Sequence, residues 1–286
     1  SLRAALAQSV NIPAIKLFYL SGLEDSQKVS EDMGITTLTD VNRYGLTLVI
    51  GGGEVTLVDL TSAYGVFAND GLRNPYTGIL KIEDRSGRVL EEYVQNEKEV
   101  LPKNTALMIS DILSDNQARI PTFGANSPLL VPGHDVAAKT GTTNNNKDAW
   151  TMGYSPSIVV GVWAGNNDNT PMRKGGSALA GPIWNKFMKV ALEKLPSEDF
   201  EEPDLYFDPT KYKPILRGLW QGNDSFVINT ITGNLATEFT PEEVRKEKVV
   251  TNVHTILYWV DRNDIMGGAP SNPSANSQFY NWETGV

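Results

Sequence analysis

From Asp135 to Ala164 the chain reads DVAAKTGTTNNNKDAWTMGYSPSIVVGVWA, and this stretch decides what the rest is built around. Asp135 to Thr143, Ala149 to Tyr154 and Ile158 to Ala164 have the length and residue types of strands, and Ser155-Pro156-Ser157 joins the last two as a hairpin turn. Inside the first strand lies Lys139-Thr140-Gly141-Thr142. On an edge strand a lysine and two hydroxyls facing one side could grip a carboxylate, and Gly141 would leave room for a substrate chain against the backbone. The tripeptide alone is common enough by chance that a plain turn or strand end is the better explanation.

Helical patterns flank this stretch. The first 20 residues read as two helices broken at Asn11-Ile12-Pro13, with Pro13 at the first position of the second helix. Ser9 and Asn11 therefore fall at the junction. A short helix over 24–33 ends at Gly34. After the turn Ile50-Gly51-Gly52-Gly53-Glu54-Val55, Thr56 and Asp59 form a capping box. The helix behind it carries Leu57, Leu60, Ala63, Tyr64 and Phe67 at helical spacing and stops at Asn69-Asp70-Gly71. Residues 78–94 read as a hairpin about Ser86-Gly87, and 103–115 as a helix with Leu107, Ile109, Ile112 and Leu113 apolar. A last helix, Pro182 to Leu195, is expected to turn Ile183, Phe187, Val190, Ala191 and Leu195 inward.

This spacing divides the chain into 1–196, an acidic proline-bearing linker 197–209, and a small β-rich extension 210–286. Within the extension Asp224 to Ala236 and Val249 to Val260 read as strands, and 261–286 as a loop-like tail. Trp220, Trp259 and Trp282 could stack on sugars, but core packing is the simpler reading.

Composition removes several functions. The 286 residues hold 25 basic and 34 acidic side chains, a net charge of -9, which does not suit a nucleic-acid surface. Without cysteine there are no disulfides, thiol nucleophiles or thiolate zinc sites. His134 and His254 are the only histidines and lie far apart in sequence, so no histidine triad or metal cluster is expected. No cofactor is expected, and proton chemistry falls to Lys, Ser, Asp, Glu or Tyr. No run of about 18 apolar residues exists to cross a membrane, and no secretory leader is visible. The chain opens without Met in a helical pattern, and both ends read as cuts through a longer protein.

Ser-x-Asn occurs at Ser9-Val10-Asn11, Ser114-Asp115-Asn116 and Ser274-Ala275-Asn276. The second falls at a helix end and reads as a polar terminus; the third lies in the loop-like tail. Ser-x-x-Lys, which joins Ser-x-Asn and Lys-Thr-Gly in penicillin-recognising serine enzymes, occurs nowhere. Its nearest imitation, Thr210-Lys211-Tyr212-Lys213, comes in the wrong order.

Taken together, three segments resemble class A (bifunctional) penicillin-binding proteins. They are Ala4 to Ala14 around Ser9-Val10-Asn11, Gly51 to Thr56 with the helix down to Gly71, and Ala138 to Thr143 followed by Asp148-Ala149-Trp150 and Gly153 to Pro156. They stand in that family's order across about two thirds of the chain. The resemblance implies an α+β fold: a five-stranded antiparallel sheet flanked by helices, with a helical part beside it and the active site between. It implies a serine D,D-transpeptidase acting on the D-Ala-D-Ala end of a peptidoglycan stem peptide and acylated by β-lactam antibiotics. By position, Ser9 would pass a proton to the leaving amine, and Asn11 would hold the acyl side chain and the missing lysine. Lys139, Thr140, Gly141, Thr142 and Thr143 would form the carboxylate and backbone site, with half the oxyanion hole at the Thr142 N–H. The nucleophile, a glycosyltransferase domain and a membrane anchor would lie upstream, on the extracytoplasmic side of the bacterial membrane, and this piece alone would be inactive. A β-lactamase or D,D-carboxypeptidase relative fits less well, because of the Gly-Gly-Gly-Glu-Val-Thr segment and the extension. A non-catalytic binding or sensor relative remains the reading from another class.

Overall fold

In the computed structural model, which describes residues 1–206, 208, 211–218, 225–249 and 254–285, the Ser1 hydroxyl accepts the Ala4 amide and starts helix α1, Leu2–Ala7. α2 (Asn11–Ser21), α3 (Leu23–Asp32) and α4 (Val41–Tyr44) follow. α2 begins at Asn11, so Pro13 is its third residue rather than its first. It still lies in the first turn, where a missing N–H leaves no helical bond unmade.

Thr56 caps α5 (Leu57–Ala68) by accepting the Asp59 amide at 3.1 Å. The Asp59 carboxylate does not complete the expected capping box. It is buried and accepts from the Thr36 hydroxyl at 2.7 Å and the Thr36 amide at 3.3 Å, bonds that hold it below the usual carboxylate range. Half a capping box is thus diverted to fasten the loop before α4. Asp70 and Gly71, both with positive φ, stop α5. Two small antiparallel pairs come next, β1 (Leu72–Arg73) with β4 (Lys98–Glu99) and β2 (Lys81–Glu83) with β3 (Val89–Glu92). Helices α6 (Lys103–Ser114) and α7 (Asn116–Phe123) lead to the main sheet.

That sheet has three antiparallel strands in the order β5 (Ala137–Thr142), β6 (Asp148–Ser155), β7 (Ile158–Gly165), so β5 is an edge. Side chains alternate across it. Ala137 and Tyr154 pack on one face with Leu113, Leu6, Tyr64 and Phe67 from α6, α1 and α5. Ala138 packs on the other with Trp184, Met188 and Leu192 of α8 (Ala180–Leu192). Gly153 lets α8 approach: a Cβ there would run into the Trp184 ring and come within 2.8 Å of the Ala137 carbonyl.

Two expectations are corrected here. The inward face of α8 is Ala180, Gly181, Trp184, Met188 and Leu192, whereas Ile183, Phe187 and Val190 are exposed and Leu195 lies beyond the helix. Two apolar stripes lie side by side on this helix, and the one bearing the largest ring and the smallest neighbours packs closest. The expected linker also divides. Residues up to Asp204 belong to the first of two compact units, Ser1–Asp204 and Leu205–Val286. Phe200 meets Tyr154 edge-on at 5.5 Å and its amide donates to Asp135 at 3.2 Å, while the Asp204 amide donates to Asn104 at 2.8 Å.

In the second unit β8 (Ser225–Asn229) pairs antiparallel with β9 (Arg245–Val249). The strand expected up to Val260 is instead a short helix, α9 (Ile256–Trp259), after residues 250–253, which lie outside the described set. The tail is not all loop: α10 (Phe279–Glu283) buries Phe279, and Glu283 accepts the Thr255 amide at 2.9 Å just before α9. Trp259 is half-buried in an aromatic group with His254 and Tyr258, and Trp282 is half-buried too. Trp220 and Asp224 lie outside the described residues.

Candidate active site

The site grows from the end of α1. The Ser9 amide donates to Leu6 at 3.1 Å and the Val10 amide to Ala5 at 2.9 Å, the paired bonds of a Schellman helix end. The residue at its corner must be left-handed, and Ser9 has φ 60°. Glycine usually fills this position; an L residue there costs about 1–2 kcal/mol. Strain therefore falls on the residue singled out for proton transfer, a common location for it. Arg3 holds the helix in place through ion pairs to Asp111 and, at 3.2 Å, to Asp115. The Gln8 amide group donates to the Ala118 carbonyl of α7 at 3.1 Å.

The corner delivers the exposed Ser9 hydroxyl to β5. The Lys139 ammonium donates to Ser9 Oγ at 2.7 Å and to the Thr140 carbonyl at 2.9 Å. Burial of the lysine, reinforced by the positive charge of Arg119, pushes it down to about 8. A lysine so placed exchanges a proton readily near neutral pH. Asn11, two residues on, is exposed as the first residue of α2; the structure brings Ser9, not Asn11, to the lysine.

The other residues of the strand do not share one face, which corrects the expectation of a lysine and two hydroxyls side by side. Lys139 and Gly141 project with Ala137 toward the helical part; Thr140 and Thr142 project with Ala138 toward α8. The Thr142 hydroxyl accepts the Gly176 amide at 2.9 Å and keeps its own hydrogen to donate. Gly176 must be glycine, since a Cβ would run into the Gly141 carbonyl and lie 2.7 Å from that of Trp150. Groups on opposite faces of β5 can reach one ligand only around the unpaired edge of the strand. Gly141 lies beside Trp150, whose Cβ would be 3.3 Å from an added methyl. Thr143 serves the β5–β6 loop: its hydroxyl donates to the Asp148 carboxylate at 2.9 Å and accepts the Asp148 amide at 2.8 Å.

Ser114-Asp115-Asn116 forms the α6–α7 junction, where Asp115 caps α7 through the Ala118 amide at 2.9 Å. Ser274 lies in a short 3-10 turn, Pro273–Ala275. Arg119, buried in α7, had no signal in the sequence, since a lone arginine in a short helix reads as surface. Among the described residues no group of three His, Asp or Glu is placed to hold a metal ion, and no helix is long and apolar enough to cross a membrane.

The family model for the penicillin binding protein transpeptidase domain matches residues 1–189. Penicillin-binding protein 1A of Aquifex aeolicus (strain VF5) is 40% identical over 205 residues, 71% of this chain and 27% of that protein. The Neisseria lactamica penicillin-binding protein 1A is 32% identical over 211 residues, 71% of this chain and 26% of that protein. This chain thus spans about a quarter of such relatives. Among solved structures, PonA1 from Mycobacterium tuberculosis in complex with penicillin V aligns with a TM-score of 0.61 at 27% identity, covering 71% of this chain and 59% of that one. Penicillin-binding protein 1A from Haemophilus influenzae shares the fold, with a TM-score of 0.59 at 22% identity over 95% of this chain and 40% of that one.

Proposed function

Because the chain belongs to the penicillin-binding protein transpeptidase family, we propose that it supplies the proton-handling and carboxylate-binding side of a serine D,D-transpeptidase that cross-links peptidoglycan stem peptides. The observation that carries this reading is the 2.7 Å bond from Lys139 to Ser9, which joins two motifs 130 positions apart. No Ser-x-x-Lys occurs in the 286 residues, so the acylated serine is assigned to the longer protein of which this chain is a part.

In the proposed reaction that serine attacks the carbonyl between the two D-alanines and gives its proton to the lysine of the same missing Ser-x-x-Lys segment. The terminal D-alanine leaves as an amine that takes a proton from Ser9 Oγ, and Lys139 returns one to Ser9. An acceptor amine then displaces the acyl group and completes the cross-link: its proton passes through Ser9 back to Lys139, and the serine oxygen recovers its own from the missing lysine. The terminal carboxylate lies along the free edge of β5, at the Lys139 ammonium and the Thr140 and Thr142 hydroxyls. Gly141 keeps the edge open, and the Thr142 N–H donates to the oxyanion; such a donor is worth about 3–4 kcal/mol in a transition state. Asn11 would orient the acyl side chain once the missing part of the cleft is in place, and Thr143 would hold the end of β5. β-Lactams would enter as mimics of the same peptide end. A glycosyltransferase domain, the anchor and an extracytoplasmic location belong to this proposal through the longer protein.

Loss of the nucleophile from a serine enzyme costs roughly a millionfold in turnover, so the chain by itself should take no label from a fluorescent penicillin. The longer protein should be labelled, and Lys139→Ala or excess ampicillin should abolish the signal. A folded longer protein that takes no label would overturn the enzyme reading and leave a binding relative that keeps the cleft without the chemistry.

A further inference from the structure

We propose that Trp150 is a specificity-determining residue of the cleft: with Gly141 it forms the apolar floor that receives the side chain of the donor's terminal D-residue. This rests on the site reading above and adds to it the end group that the cleft selects.

Gly141 of β5, Trp150 of β6 and Trp163 of β7 stand in register across the main sheet. They project toward the helical part, on the same face as Lys139 and one row further along the strand, about 6–7 Å away. The lysine's own row, Lys139–Met152–Gly161, is roofed by α5. A Cβ at Gly161 would run into the Thr61 hydroxyl and come within 3.1 Å of Leu57, the residue that opens the helix. From there α5 runs inward to Tyr64 and Phe67 over Tyr154. The tryptophan row lies outside that start and stays open, with Trp163 36% exposed and Trp150 partly so. Trp184, which packs the opposite face, is fully buried.

The open rings are nevertheless held. Trp163 meets Trp150 with centroids 6.4 Å apart and planes tilted by 59°. Its indole N–H donates to the Asp148 carboxylate at 3.0 Å, the same carboxylate that accepts the Thr143 hydroxyl at 2.9 Å. Gly165 makes room for this ring, since a Cβ there would run into it. Trp150 is thus backed on the side away from β5. On the other side it borders Gly141: a methyl added to that glycine would lie 3.3 Å from Trp150 Cβ and 3.9 Å from Cδ1. The place a side chain would fill at Gly141 is therefore free and walled by an indole.

In the proposed reaction Lys139 and the threonine hydroxyls take the donor's carboxylate, and the Thr142 N–H takes the oxyanion. The terminal D-alanine is the one residue between those two groups, so its α-carbon passes Gly141. The Thr140 and Thr142 hydroxyls hold the opposite face of the strand. The methyl turns to the Gly141 side and meets Trp150, a surface that suits a small apolar group and gives a glycine end nothing to bind.

The test measures kcat/KM of the longer protein for diacetyl-lysyl-D-alanyl-D-alanine and for the analogue ending in glycine, with glycinamide as acceptor, by release of the terminal amino acid. Wild type should favour D-alanine by at least about tenfold, the low end of what one small apolar group in a fitted pocket contributes. Trp150→Ala should cut that preference by about three- to tenfold, and Trp150→Phe, which keeps a flat ring, should restore most of it. A tryptophan needed only for packing would slow both donors alike. An unchanged preference in Trp150→Ala that still unfolds cooperatively overturns the proposal, because the part of the longer protein absent here, not the donor, would then cover the indole. Should Trp150→Ala not fold, Gly141→Ala fills the same place from the strand side and should lower the preference as far; an unchanged ratio there overturns the proposal equally. So does a penicillin-labelled wild type that releases D-alanine no faster than glycine. A longer protein that takes no penicillin label overturns the site reading, and this proposal with it.

Discussion

Ser9 offers the sharpest check on the site, through the pair Ser9→Gly and Ser9→Ala. Both changes delete the hydroxyl and with it the 2.7 Å bond from Lys139, so that loss cancels when the two variants are compared. What remains is the backbone at φ 60°. Alanine still carries the left-handed cost of about 1–2 kcal/mol, whereas glycine avoids it but gains about 0.5–1 kcal/mol of extra unfolded-chain freedom. Glycine should come out ahead by roughly 0.7 kcal/mol, the midpoint of those ranges. For a unit the size of Ser1–Asp204, that difference moves the unfolding midpoint by about 1.5–3 °C. Urea and thermal unfolding of the three proteins, followed by near-UV dichroism, would read it. Alanine as stable as glycine would refute the reasoning, for Ser9 would then not be left-handed in solution. The Schellman corner and the placement of its hydroxyl under Lys139 would fall together.

The register of α8 predicts a contrast between adjacent stripes. Trp184→Ala, at a fully buried position, should cost about 3–5 kcal/mol in urea unfolding, while Phe187→Ser, at 54% exposure, should stay within about 0.5 kcal/mol of wild type; the reverse order would restore the rejected face. Folding lowers Lys139 to about 8 from an ordinary 10.5, so between those values the unfolded chain holds more protons and the lysine's contribution to stability rises with pH; below about 8 both states are protonated and it is flat. The stability difference between wild type and Lys139→Met, followed by urea unfolding from pH 6 to about 10.5, should therefore climb only in that window, and a flat difference would contradict the lowered proton affinity.

What the sequence disclosed and what it hid separate by range of interaction. The β6–β7 hairpin, the Thr56 cap and the α5 stop at Asp70-Gly71 depend on neighbours within a few positions, and they stand where the residues put them. The Ser9 junction was visible because Pro13 interrupts the pattern two residues beyond Asn11. The inward face of α8 was not visible, because Ile183 and Trp184 are both apolar and only the fit of Trp184 over Gly153 decides between them. Residues 197–204 are acidic enough to read as a linker, yet Phe200 packs on Tyr154 and the Asp204 amide bonds Asn104. The Lys139 strand was found by its motif. The division of its side chains between two faces followed from a period of two that the motif reading set aside in favour of a shared grip.

The features least legible in the sequence gather around one hydrogen bond. Ser9 occupies a conformation that suits glycine, Lys139 loses solvent beside a cation, and Arg119 is buried with no ion-paired acid among the described residues. Each of these opposes folding, so each must be held by contacts that do not depend on it. Arg3 supplies one such contact by bridging Asp111 and Asp115, on α6 and at the cap of α7, and Gln8 supplies another through the Ala118 carbonyl. An isolated exposed ion pair is worth little, but a guanidinium shared by two acids fixes the position of α1 against two helices at once. The hydroxyl is therefore carried by a rigid corner rather than by a loop. The proton exchange proposed for Ser9 and Lys139 would need that rigidity, because a displacement of about 1 Å in a reacting geometry can cost a hundredfold in rate.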